Sequence, residues 1–124
     1  MDLALFSFEQ LEMWNLSMDF VTELYKLLKQ FPENEKYALT SQIRRAAISV
    51  PSNIAEGTGR TSIREKLHFN EIAMGSLFEV ICQLNIAKRV EYINEEDYSH
   101  FKSMATRIGM MLSGYRRSMV NKTT

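Results

Sequence analysis

The chain has 124 residues and sets 15 lysines and arginines against 15 aspartates and glutamates, for a formal net charge of zero. That length predicts one domain over residues 1–124, and the charge balance excludes a uniformly basic nucleic-acid coat or an acidic tail protein. Apolar residues at 45% with only five glycines and two prolines describe a globular chain poor in turn formers, which argues against a many-stranded β fold. The single cysteine, Cys82, cannot form an internal disulfide, so a reducing, cytoplasmic setting is expected. The N-terminal run Met1-Asp2-Leu3-Ala4-Leu5-Phe6 has no basic lead, and charges interrupt every longer apolar stretch. Neither a signal peptide nor a membrane span is expected.

Three breaks divide the chain: Phe31-Pro32-Glu33-Asn34-Glu35, Gly57-Thr58-Gly59, and Glu91-Tyr92-Ile93-Asn94. The segments between them predict four helices, near residues 8–30, 36–57, 63–90 and 95–119. In the first, Ser7 and Gln10 have capping-box spacing. Leu11, Trp14, Met18, Val21, Tyr25 and Leu28 make one apolar face of that helix, and Leu16, Phe20, Leu24 and Leu27 a second. Pro32 is expected to stop it near Gln30.

The second segment is apolar over most of its circumference. Leu39, Ile43, Ala46, Val50, Ile54 and Gly57 form one stripe, and Ile48, Pro51 and Ala55 another. Between them runs a narrow polar stripe of Gln42, Arg45, Ser49, Asn53, Glu56 and Arg60. Pro51 conflicts with a helix interior at a cost of about 3 kcal/mol or more. The phase of the stripes nevertheless continues across it, which favours a kinked helix over a broken one.

The third segment opens on Ser62 and Glu65, again at capping-box spacing. Ile63, Leu67, Met74, Phe78 and Ile81 share one face; Phe69, Ala73, Val80, Leu84 and Ala87 share another. The fourth begins at Asn94 with Glu95, Glu96 and Asp97 in its first turn, and its stripe is Tyr98, Phe101, Ala105, Ile108, Leu112, Tyr115 and Met119. Second apolar faces on three helices exceed what one small bundle needs, which favours a homo-oligomer.

The run Gln42-Ile43-Arg44-Arg45-Ala46-Ala47-Ile48-Ser49-Val50-Pro51-Ser52-Asn53-Ile54-Ala55-Glu56-Gly57 is distinctive. With Phe8-Glu9-Gln10-Leu11-Glu12-Met13-Trp14, Phe31-Pro32, Arg60, Ala73-Met74-Gly75-Ser76, Glu79 and Gln83-Leu84, it resembles a bacterial four-helix-bundle family first noticed in intervening sequences of 23S ribosomal RNA genes. The resemblance spans roughly residues 8–118. It implies an all-α, antiparallel up-down-up-down four-helix bundle, a ring-like homopentamer, and no established enzymatic activity. It also brings in the similar accessory proteins of diversity-generating retroelements, which are thought to bind nucleic acid and a reverse transcriptase through a basic surface. The neutral charge balance departs from that branch.

Two sets of residues are candidate sites. The stripe Gln42, Arg45, Ser49, Asn53, Glu56 and Arg60 reads chiefly as a polar network setting protomer register, with Glu56 able to pair with Arg60 one turn on. An alternating bundle would gather Arg60, Arg64, Lys66, Arg116 and Arg117 at one pole, a phosphate-binding surface if nucleic acid is the partner. Gly57-Thr58-Gly59-Arg60 lacks the Gly-Lys-Ser/Thr ending of a phosphate loop and reads as a helix stop with a glycine at positive φ. His68 and His100 fall on different helices without further ligands at metal spacing, so no metal or cofactor is expected. Cys82, among Ile81, Leu84 and Ile86, reads as a buried small hydrophobe.

The zero net charge hides a pattern. Residues 1–37 carry three basic and seven acidic groups, and residues 38–70 carry five against two. The counts are two against three over 71–93 and five against three over 94–124. Such alternation suits self-assembly first and nucleic acid second.

Overall fold

The computed structural model describes residues 3–122. Its long helices are α1 (Glu12–Leu28), α2 (Leu39–Thr58), α3 (Ile63–Arg89) and α4 (Glu95–Asn121), with short 3-10 turns at Leu3–Gln10 and Glu33–Glu35. No strand occurs among the described residues. Each helix packs on its neighbours in the chain and α4 closes on α1, while the backbones of the diagonal pairs stay farther apart. This is an antiparallel four-helix bundle of up-down-up-down order.

Helix starts follow their caps. The Ser62 hydroxyl accepts from the Glu65 amide at 3.1 Å, and the Asn94 side chain accepts from the Asp97 amide at 2.7 Å. Both satisfy amides that the first turn leaves without a partner. The Ser7 cap is not used. The chain is extended at Leu11, so α1 begins at Glu12, four residues later than its spacing predicts. Asn15 bridges this junction, donating to the Glu9 and Leu11 carbonyls, while the Phe8 ring stacks edge-on against Trp14.

At the far end of α3 the Tyr92 amide reaches the Ala87 carbonyl at 2.9 Å and the Glu91 amide reaches Lys88 at 3.0 Å, a Schellman closure. Its left-handed position, φ 67°, is held by Glu91, where glycine would be easier. Tyr92 then donates to Glu35, tying the loop before α4 to the loop before α2. That carboxylate raises the Tyr92 phenol above its usual range. On the next turn Lys88 pairs with Glu95 and holds that carboxyl below the usual range.

The core takes one stripe from each helix. α1 buries Met13, Phe20, Leu24, Leu27 and Leu28, and α2 buries Ile43, Ala46, Ala47, Val50 and Ile54. α3 contributes Ala73, Leu77, Val80, Leu84 and Ala87, and α4 contributes Tyr98, Phe101, Ala105, Ile108 and Leu112. α2 runs unbroken through Pro51, whose ring is itself buried. Buried Asn70 donates to the Leu112 carbonyl at 3.2 Å and Ser17 to the Trp14 carbonyl at 2.7 Å, so neither side chain is left unpaired in the core.

No glycine takes a positive φ, so the helix stop works differently from the sequence expectation. Gly57 lies buried inside α2, and a Cβ there would stand 3.1 Å from Phe69 Cβ; its role is close helix approach. Gly59 ends α2 with ordinary right-handed geometry. Lys66 donates to the Thr58 carbonyl at 3.3 Å, placing positive charge on the helix's negative end. Cys82 is exposed, not buried. It falls one turn from Phe78 and Ile86 on the outer side of α3, opposite the stripe of Val80 and Leu84.

Candidate functional site

The polar stripe of α2 is divided by its surroundings. At its centre, half-buried Asn53 donates to the Ser49 carbonyl at 2.8 Å and to the Ser49 hydroxyl at 2.9 Å. Ser76 of α3 reaches the same hydroxyl at 2.8 Å, so the cluster ties α2 to α3 within one chain. Ser76 was visible beforehand only through the Gly75-Ser76 pair, whose spacing alone gives no partner. Toward the ends, Arg45 donates to Ser41 at 3.1 Å, and Glu56 pairs with Arg60 at 2.7 Å. Gln42, Arg45, Glu56 and Arg60 remain exposed. Arg45 and Glu56, three turns apart, do not meet each other.

Just beyond Ser76 the outer face of α3 carries Ile72 and Ile86, both exposed, with Gly75 between them. A Cβ built on Gly75 meets nothing within 4 Å. A glycine in a helix interior costs about 1 kcal/mol relative to alanine. No described residue uses the space it leaves.

The basic residues gather by topology. The end of α2, the start of α3 and the end of α4 share one pole, and Tyr115 lines a shallow cleft there with Lys66, Gly57 and Asn70. Partial burial raises the Tyr115 phenol. Two of the five cations are already engaged: Arg60 pairs with Glu56 and stacks on Phe69 at 4.7 Å, and Lys66 caps α2. Arg64, Arg116 and Arg117 are exposed and make no ion pair with another described residue. Arg44, not assigned a role by the spacing, stacks on Tyr25 at 5.3 Å across the α1–α2 seam.

An open apolar groove lies elsewhere, between α3 and α4. It has a volume of about 540 Å³, a floor of Met74, Leu77, Ala105 and Gly109, and walls of Phe78 and Met110. Among the described residues no group of three metal-ligating side chains converges, and no helix is long and apolar enough to cross a membrane.

Residues 9–114 match the family described as 23S rRNA-intervening sequence protein. The chain belongs to that family. A solved structure from Bacteroides thetaiotaomicron, described as a protein of unknown function from the S23 ribosomal protein family, superposes with a TM-score of 0.78 at 25% identity. The alignment covers 84% of this chain and 97% of that one. No curated protein matches. Membership in the 23S rRNA-intervening sequence protein family therefore carries the fold and assigns no activity.

Proposed function

We propose that the chain is a non-enzymatic, homo-oligomeric scaffold or adaptor whose copies pack through the outer face of α2 and α3. The observation that carries this reading is Gly75, an exposed helix-interior glycine with open space above it, flanked by exposed Ile72 and Ile86. A close-approach residue without an approaching partner in its own chain fits a partner from another copy. The exposed members of the neighbouring stripe, Gln42, Arg45, Glu56 and Arg60, supply the polar rim such an interface needs. A ring of five copies is the stoichiometry that the family resemblance implies. The side chains with nucleophilic or basic chemistry sit apart, which favours binding over catalysis. Cys82 lies about 21 Å along α3 from His68, and His100 pairs with Glu23 at 2.7 Å.

Light scattering after size exclusion tests the reading. The wild type is expected to give a multiple of 14.4 kDa, and Gly75→Leu to shift toward monomer with its helical circular dichroism intact. A stable wild-type monomer at micromolar concentration overturns it.

A second reading has its own observation: the exposed Arg64, Arg116 and Arg117 at one pole, which make no ion pair with another described residue. It makes the chain a nucleic-acid-binding accessory protein, with a reverse transcriptase as a further partner. Affinity for short RNA or DNA is then expected to fall steeply with salt and to weaken on Arg64→Gln, Arg116→Gln and Arg117→Gln. No binding at low salt ends it.

A further inference from the structure

The groove between α3 and α4 enters the readings above only through Arg117, which stands at one end of it. Its walls are the most exposed large hydrophobics on these helices, Phe78 at 71% and Met110 at 69%. Apolar side chains left in water on both banks of a concave trough mark an interaction surface. Two charged residues line it, Lys102 near one end and Arg117 near the other. They lie fifteen residues apart on α4, about 22 Å along the helix, and neither makes an ion pair with another described residue.

We propose that this groove is a docking site for an amphipathic helix of a different protein, apolar on one face and acidic at both ends. Three features select that occupant. The lining spans about four turns of α4, from Lys102 to Arg117, and about two turns of α3, from Met74 to Ile81, which admits a helix with apolar anchors one turn apart over Ala105 and Gly109. Cations at both ends call for carboxylates at both ends, which a single-headed fatty acid does not supply. A nucleic-acid backbone needs a track of cations rather than an apolar floor. The chain offers no sheet edge among its described residues, so a strand has nowhere to add.

The α1–α2 face of a second copy is a poor occupant. Its exposed apolar seam, made by Tyr25 and Ile48 with Met18 two turns before Tyr25, carries Arg44 and Arg45 alongside. Seating that seam in the groove would set cations against Lys102 and Arg117. The groove and the proposed α2–α3 assembly face are thus separate surfaces of one protein.

The test uses the full-length chain and a fluorescent peptide of about 18 residues with leucines at helical spacing and glutamates at each end. Saturable binding is expected, weakening with salt and by about tenfold or more in the Lys102→Glu, Arg117→Glu double variant. A peptide with lysines in place of the glutamates should bind that double variant and not the wild type. Gly75→Leu should leave binding unchanged, which separates failure here from failure of the assembly reading. The proposal is overturned if the acidic peptide does not bind, if both peptides bind the wild type alike, or if the double variant binds the acidic peptide as the wild type does. It is equally overturned if laurate or a short RNA binds the groove while the peptide does not.

Discussion

The two seams that α3 makes with its neighbours are lined by different residues and end in different surfaces. Toward α2 the contact residues are small: Gly57 lies against Phe69, Ala46 and Ala47 are buried beside Val50, and Ser49 meets Ser76 at 2.8 Å. Toward α4 the small residues Ala105 and Gly109 make only a floor beside Met74 and Leu77, Phe78 and Met110 stand exposed on the banks, and a trough of about 540 Å³ stays open. Small side chains let helix axes approach and fix their register through a few polar contacts. Exposed methionine and phenylalanine side chains leave a deformable bank, the kind of surface that accepts a partner. One helix thus has a closed side and an open side.

Substitutions that reverse these roles sort by size. Gly57→Leu drives a side chain into Phe69 on the closed seam and should cost about 3 kcal/mol in urea unfolding. Ser76→Ala removes a bond to Ser49 and should cost about 1 kcal/mol. A cycle with Ser49→Ala should show that the two losses are not additive, because they share one contact. On the open seam the sign changes. Gly109→Ala meets Leu77 at 3.6 Å and Met74 at 3.8 Å, ordinary contact distances, so helix propensity should raise stability by about 0.5–1 kcal/mol. Phe78→Ala, on the exposed bank, should change stability by about 0.5 kcal/mol or less. A large loss at Phe78 would show that the trough is part of the core.

Much of this was legible in advance, and the reason differs by region. The α4 stripe from Tyr98 to Leu112 is buried as its spacing predicts, because that helix has one strong apolar face and a true Asn94 cap. α1 and α3 each offered two apolar faces. Burial chose the Phe20–Leu24–Leu27 side of α1, together with Met13, and left Met18 and Tyr25 in solvent; on α3 it chose Ala73–Val80–Leu84 over Phe78. Periodicity could not rank two faces of similar hydrophobicity, since that choice depends on which neighbours a helix meets. The same limit put Cys82 in the core when only Leu84 of its three apolar neighbours is buried. Glycine was misread for a related reason: Gly57 marks a close approach by Phe69, a long-range fact that no local turn signal carries. Of the candidate site residues, the Glu56–Arg60 pair followed from one-turn spacing. The Ser49–Ser76 contact needed the packing of α2 on α3, and the unused space over Gly75 needed coordinates.

Cys82 gains a use from its position. It is the chain's one thiol, and it stands on the outer ridge of α3, two turns from Gly75 and one from Phe78. Its alkylation rate is therefore a clock for how often that ridge is uncovered. Assembly over Gly75 and occupancy of the trough beside Phe78 would each slow the reaction, and each with its own dependence on protein or peptide concentration. The unmodified chain carries the reporter needed to tell its two faces apart.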